Sequence, residues 1–123
     1  MIVSICFFSG CTEQQDTSSS QYMVTYRVLG YFDPNKILDM ASLTYENSQG
    51  GTEQISDAEL PWEHKLYGMH KGDSVYISAQ DSDAYGGVTV EIYISTNTND
   101  IGTLVKTSTS TGAYVIATAS EII

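Results

Sequence analysis

The stretch Val88-Thr89-Val90-Glu91-Ile92-Tyr93-Ile94 has the most regular alternation of apolar and polar side chains in this chain. Successive side chains of a β-strand point to opposite faces, so its valines and isoleucines would share one face, with Thr89, Glu91 and Tyr93 opposite. Such a period of two predicts a strand that is buried on one side. We expect this segment to supply the strongest apolar face of the core.

Similar alternating segments, separated by turn residues, recur along most of the chain, and no segment has helical periodicity. They lie near residues 22–29, 41–45, 52–60, 62–66, 75–79, 103–109 and 113–119. This spacing predicts an all-β, immunoglobulin-like antiparallel β-sandwich of seven to eight strands over residues 22–123.

Turn and breaker residues indicate how these strands connect. Residues 47–51 read Asn-Ser-Gln-Gly-Gly, which predicts a hairpin loop because glycine adopts positive φ without a steric penalty. The returning strand, 52–60, is weakly apolar and is therefore expected near a sheet edge. Pro61 cannot donate to a ladder, so Leu60-Pro61-Trp62 predicts a corner between the two sheets, with Trp62 in the core.

Composition limits the classes of partner. The chain has 123 residues, room for one domain with a modest core, and 15 acidic against 5 basic residues give a formal net charge of −10. This charge repels phosphate backbones, so we expect no nucleic-acid partner. No long apolar span follows Cys11, so the body of the chain is not expected to cross a membrane.

The first 21 residues predict a membrane anchor. The apolar run Ile2–Phe8 is followed by Ser9-Gly10-Cys11, which resembles the lipobox of prokaryotic lipoproteins. We therefore interpret residues 1–10 as a truncated signal segment whose true start lies upstream, Cys11 as a lipidated residue, and residues 11–21 as a flexible polar tether. The alternative is a buried N-terminal strand with Cys6 and Cys11 in the core. The lipoprotein interpretation predicts an extracytoplasmic domain anchored to a cell membrane.

Catalytic machinery is not evident in the sequence. With Cys11 lipidated and Cys6 in the signal segment, the domain has no thiol for catalysis, disulfide formation or zinc binding. No serine lies in a nucleophile-elbow context, and neither His64 nor His70 belongs to a catalytic motif. We expect a protein that is not an enzyme.

Two loops contain oxygen ligands that suit calcium. Asp81 and Asp83 follow one strand, and Asn97, Asn99 and Asp100 follow the next. If both loops met at one end of the sandwich they could hold one Ca²⁺ ion. The alternative, which we favour, is that these residues form ordinary turns and that the protein has no cofactor.

Tyr76 and Tyr93 each lie on the polar face of a strand whose other face is apolar. If the strands are neighbours, the two rings could form a cross-strand pair that stabilises the sheet. They could instead be the centre of a surface that binds another protein, because tyrosine is enriched in interface anchors.

Four short segments, in order and with compatible spacing, resemble the MmpS family of small membrane-anchored proteins. They are Gly50-Gly51-Thr52-Glu53-Gln54, Leu60-Pro61-Trp62, Ser78-Ala79-Gln80 and Thr109-Ser110-Thr111-Gly112-Ala113-Tyr114. The resemblance implies an extracytoplasmic β-sandwich that serves as an accessory partner of resistance-nodulation-division (RND) transporters, which export lipids or siderophores. This chain departs from the family in its anchor, since relatives have a transmembrane helix, and in lacking their cysteine pair.

Three functional hypotheses follow. The first is a lipoprotein whose non-catalytic domain binds another envelope protein, such as an RND-type transporter. The second is a carrier that holds a lipid or siderophore between its sheets. The third is an adhesion module stabilised by calcium.

Overall fold

The computed structural model describes residues 21–30, 39–82 and 86–123, and these ranges form eight β-strands and no helix. None of the described residues belongs to a helix that could span a membrane. The strands are β1 (Tyr22–Gly30), β2 (Met40–Glu46), β3 (Thr52–Glu59), β4 (Trp62–Met69), β5 (Ser74–Asp81), β6 (Gly87–Ser95), β7 (Thr103–Thr111) and β8 (Ile116–Ile122).

The strands form two antiparallel sheets of four strands each. The first sheet has the order β4-β1-β6-β7 and the second has the order β3-β2-β5-β8. Every neighbouring pair whose register is described is antiparallel. The predicted antiparallel β-sandwich is therefore confirmed, with eight strands.

The core lies between the sheets and follows the alternation in the sequence. Val88, Val90 and Ile92 on β6 are at most 1% exposed. The second sheet contributes the inward residues of β2 and β5, which are Ala41, Leu43, Tyr45, Val75, Ile77 and Ala79. Burial of these apolar side chains supplies the main favourable free energy of folding.

The predicted corner at Pro61 is confirmed. The Leu60-Pro61 peptide bond is cis, and there the chain passes from β3 in the second sheet to β4 in the first. Trp62 is half-buried and packs against the core, with its ring 5.4 Å from that of Tyr45 and stacked on His64 at 5.9 Å. β3 is an edge strand, as its weak apolar character predicts.

The last strand begins later than the sequence predicts, at Ile116 instead of Ala113. Gly112 and Tyr114 have φ values of 124° and 53°, and left-handed backbone cannot continue a strand ladder. Residues 112–115 therefore form the turn that leads from β7 in the first sheet to β8 in the second.

The sandwich has two ends. We call the end at which β1 begins the N-terminal end. Register and strand direction place three connections there, namely residues 47–51, 70–73 and 96–102. The connection from β5 to β6 and the turn at 112–115 lie at the opposite end.

Candidate functional site

Adjacent strands bring five charged and aromatic side chains together on the outer face of the first sheet. Thr25 lies opposite Lys65 on β4 and Tyr93 on β6, and Arg27 lies opposite Glu63 and Glu91. Because Val24, Tyr26 and Val28 point into the core, their neighbours on β1 point outward. We call Arg27, Glu63, Lys65, Glu91 and Tyr93 the Tyr93 cluster.

Tyr93 makes three contacts with two residues of this cluster, Arg27 and Glu91. Arg27 Nη1 donates a hydrogen bond of 3.4 Å to the Tyr93 hydroxyl oxygen, and the Arg27 guanidinium carbon lies 5.2 Å from the centre of the ring. The Tyr93 hydroxyl donates a 2.9 Å hydrogen bond to Glu91 Oε1. The position of the ring is thus fixed by polar contacts and by a cation–π interaction.

Arg27 also joins the two acidic residues. Its Nε lies 3.6 Å from Glu63 Oε1, and its Nη1 lies 3.8 Å from Glu91 Oε1. Lys65 Nζ donates a hydrogen bond to Glu63 Oε2. Two cations and two carboxylates therefore balance, and the cluster forms a neutral patch on a strongly acidic protein.

The protonation states follow from these contacts. Burial raises the pKa of the Tyr93 hydroxyl, and the hydrogen bond to the Glu91 carboxylate raises it further. The hydrogen bond from Lys65 lowers the pKa of Glu63. At neutral pH Tyr93 is therefore a neutral hydrogen-bonding group and Glu63 is ionised.

Thr25 shows that this outer face is densely packed. The alternation of β1 predicts Thr25 on the polar face beside Arg27, and it does point there, yet it is fully buried. Its hydroxyl makes no hydrogen bond with the described residues. Thr25 has a short side chain and lies on a central strand between the longer Lys65 and Tyr93. The periodicity of one segment cannot predict this burial, because it does not show which strands are neighbours.

Tyr76 and Tyr93 do not lie on neighbouring strands, which is the condition for a cross-strand pair. Tyr76 is on β5 in the second sheet, and Tyr93 is on β6 in the first, because the chain crosses between sheets after Asp81. Tyr76 points outward from its own sheet and is 36% exposed. The two rings therefore occupy opposite outer faces and form neither a cross-strand pair nor one surface.

The strands that precede the two loops considered for calcium end at opposite ends of the sandwich. Asp81 ends β5 at one end of the sandwich, whereas Asn97, Asn99 and Asp100 lie in the connection at the N-terminal end. β5 and β6 are consecutive strands of opposite direction, so the loops that follow them lie at opposite ends. Asp83 lies outside the described residues. Within the described ranges, no three His, Cys, Asp or Glu side chains are grouped as metal ligands.

The polar residues of the 96–102 connection serve the backbone. Asn97 Oδ1 accepts a hydrogen bond of 2.9 Å from the Asn99 N–H, and Asp100 Oδ1 accepts one of 3.0 Å from the Gly102 N–H. These are the local turn contacts that asparagine and aspartate favour. Asp81 is buried, 1% exposed, at the end of its strand.

A groove at the N-terminal end was not predicted from the sequence. It has a volume of about 520 Å³ and opens to solvent between the ends of β7 and β8, with Tyr22, Ile94, Val105 and Ile122 among its lining residues. These four residues come from four different strands, so no single motif could have indicated the groove.

His70 is exposed in the turn after β4, where its backbone N–H donates a 2.8 Å hydrogen bond to Asp73 Oδ2. Cys11, the signal segment and the tether lie outside the described residues, except for Gln21.

Comparison of the chain with protein-family models found no match, and a comparison with curated proteins found none either. The resemblance to the MmpS family stays a prediction.

Proposed function

We propose that this chain is a lipoprotein, anchored through Cys11 on the extracytoplasmic side of a membrane, whose β-sandwich binds another envelope protein without catalysis. The observation that carries the binding role is the fixed position of Tyr93 between Arg27 and Glu91 on an outer face. We take this patch, the Tyr93 cluster, as the contact surface.

The anchor and the patch are compatible in position. The ten residues from Thr12 to Gln21 would allow a reach of about 17 Å for a flexible chain. They join the domain at Tyr22, so the N-terminal end of the sandwich would face the membrane. Tyr93 lies two residues before the end of β6, at this same end. A partner embedded in the membrane would thus meet the Tyr93 side of the first sheet.

The chemistry of the patch supports binding of a protein. Tyrosine and arginine are enriched among residues that dominate interface energies. A ring that is already held by neighbours loses little conformational entropy on association, which favours affinity. The balanced charges of the cluster also avoid the repulsion that an acidic surface would impose on an acidic partner.

The class of partner comes from the resemblance to the MmpS family, which favours an RND-type transporter. The carrier hypothesis has less support, because Val24, Val90 and Ile77 of the two sheets are fully buried in one core. The calcium-stabilised adhesion module also has less support, since the loops considered for the ion lie at opposite ends of the sandwich.

Lipidation can be tested in cells of the native host that express the chain from its upstream start. Labelled palmitate should be incorporated into the wild-type chain and into Cys6→Ser, and both should sediment with membranes. Cys11→Ser should lose the label and leave the membrane fraction. Incorporation of label into Cys11→Ser would contradict the anchor.

The contact surface can be tested by photo-crosslinking in intact cells. A photoreactive amino acid at position 93 should give a specific adduct with an integral membrane protein, identified by mass spectrometry. The matched control places the same amino acid at position 76, which is outward on the opposite sheet. Adducts that are the same from both positions, or absent from position 93, would contradict the proposal.

A further inference from the structure

The four edge strands of the two sheets differ in whether they contain a β-bulge, which bears on association with another chain. The edges are β4 and β7 in the first sheet and β3 and β8 in the second. Unpaired N–H and C=O groups on an edge can pair with another chain, and β-bulges are one device that prevents it. Three of these edges contain an extra residue: near Asp57 in β3, near Gly68 in β4 and at Val105 in β7.

The fourth edge, β8, is regular. It pairs with β5 over seven consecutive positions, from Gln80 opposite Ile116 to Ser74 opposite Ile122, with no shift of register. β8 is therefore the straight edge among those described, and the one that is best suited to accept another strand.

Alternation in the ladder identifies which backbone groups face away from β5. At one end of β8 the Asp81 N–H donates to Val115 O at 2.9 Å, and at the other the Ile123 N–H donates to Asp73 O at 2.9 Å. The groups of residues 116, 118, 120 and 122 must then face the outer edge. Ser110 Oγ donates a 2.8 Å hydrogen bond to Ile116 O, which occupies one carbonyl.

The outer side chains of these same residues form a nearly symmetric sequence. They are Ile116, Thr118, Ser120 and Ile122, all exposed, whereas Ala117 between them is buried. Ile116 is 55% exposed and Ile122 is 68% exposed, which is unusual for isoleucine. The order Ile-Thr-Ser-Ile reads almost the same in both directions, so the strand is complementary to itself when antiparallel.

We propose that β8 pairs with β8 of a second copy of this chain, antiparallel and about a two-fold axis at Ala119. Ile116 would then lie opposite Ile122 of the partner subunit, and Thr118 opposite Ser120 of the partner subunit. Each isoleucine gains an apolar neighbour across the strands, and the outward backbone groups gain hydrogen bonds. The second sheet of one copy and the second sheet of the other then form one continuous sheet.

Charge is compatible with this contact. Glu121 is the one charged residue of β8, and its Oε1 lies 3.7 Å from Lys106 Nζ. In the proposed register Glu121 faces Ala117 of the partner subunit, so no like charges are opposite. The net charge of −10 on each copy still opposes association at long range. Added salt screens this repulsion and should strengthen the dimer.

Sedimentation velocity tests the proposal on the full chain with Cys6→Ser and Cys11→Ser, which excludes lipid and disulfides. The protein should show a monomer–dimer equilibrium that shifts toward dimer with salt. Ile116→Glu and Ile122→Lys should each weaken association by about tenfold or more. Each substitution occurs twice in the symmetric dimer and replaces both isoleucine pairs by a charge opposite isoleucine. Combining them places opposite charges across both outer pairs and should restore the dimer. Leu104→Glu, at an exposed position on β7, is the matched control and should change nothing.

Disulfide trapping gives an independent reading of the register. A mixture of Thr118→Cys and Ser120→Cys chains should cross-link readily, because directly opposite residues lie about 5.5 Å apart between Cα atoms, within disulfide range. Each variant alone should cross-link much less. A monomer at all concentrations and salt levels would refute the proposal, as would a dimer that neither single substitution weakens. These outcomes do not depend on the anchor or on the Tyr93 cluster.

Discussion

The hydroxyl of Tyr26, in the centre of the first sheet, accepts a 3.1 Å hydrogen bond from the backbone N–H of Tyr76 in the second sheet. The same hydroxyl donates a 2.8 Å hydrogen bond to Glu46 O. Tyr26 is fully buried. One side chain therefore joins the sheets by polar contacts as well as by packing, and it fixes how β1 lies over β2 and β5.

Tyr26→Phe should destabilise the fold by about 1–3 kcal/mol. The substitution keeps the ring and its packing, but the Tyr76 N–H and Glu46 C=O lose a partner in the interior. Chemical denaturation monitored by Trp62 fluorescence measures the change in the free energy of unfolding. Tyr67→Phe is the control, since Tyr67 is 57% exposed, and it should change stability by less than about 0.5 kcal/mol. Equal effects of the two substitutions would show that the contacts of Tyr26 contribute nothing.

The same tyrosine predicts a loss of stability at alkaline pH. Burial raises the pKa of Tyr26 from 10.0 to about 12. Because the folded-state pKa is higher, its contribution is complete below pH 10.0 and is lost as the pH rises toward about 12. In this window deprotonation of Tyr26 should lower the free energy of unfolding of the wild type by about 1.4 kcal/mol per pH unit.

Burial also raises the pKa of Tyr45 and Tyr93, so their deprotonation lowers the stability at alkaline pH in addition to that of Tyr26. Comparison with Tyr26→Phe isolates the one group. The stability advantage of the wild type over this variant should shrink above pH 10.0, and a constant difference would contradict the assignment.

The strands could be predicted from the sequence because each depends on a local signal. The period of two in 88–94 gave β6 and its buried face, and Asn47 to Gly51 gave the hairpin between β2 and β3. Pro61 likewise marked the passage between sheets, since a residue without an N–H cannot continue a ladder.

The candidate site could be predicted only in part. The sequence indicates Tyr93 as an outward aromatic residue, but its partner Arg27, and Glu63 that pairs with Arg27, come from other strands whose order in the sheet no local pattern reveals. For the same reason the sequence does not show that Tyr76 and Tyr93 lie in opposite sheets. Long-range pairing also decides which edges are bulged, as at Val105.

Calcium should leave the thermal stability unchanged. The side chains of Asn97 and Asp100 already accept backbone hydrogen bonds in their turn, and Asp81 lies at the other end of the sandwich. Ca²⁺ takes six to eight oxygen ligands, and among the described residues no three His, Cys, Asp or Glu side chains are grouped to supply them. Melting curves with millimolar calcium and with a chelator should coincide. A higher melting temperature with calcium would instead indicate a bound ion, because a ligand of the folded state stabilises it.

Two glycines with similar backbone conformations should respond very differently to alanine. Gly50 and Gly102 have φ values of +81° and +88°. A Cβ at Gly50 meets nothing within 4 Å, whereas one at Gly102 would lie 2.2 Å from Ile94 O and 2.6 Å from Ser95 Cβ. Gly50→Ala should cost about 1–2 kcal/mol, the strain of the left-handed backbone alone. Gly102→Ala should cost more than about 3 kcal/mol, because the β6–β7 connection must also move. Denaturant melts of both variants measure the difference, and similar costs would mean that this connection yields without strain.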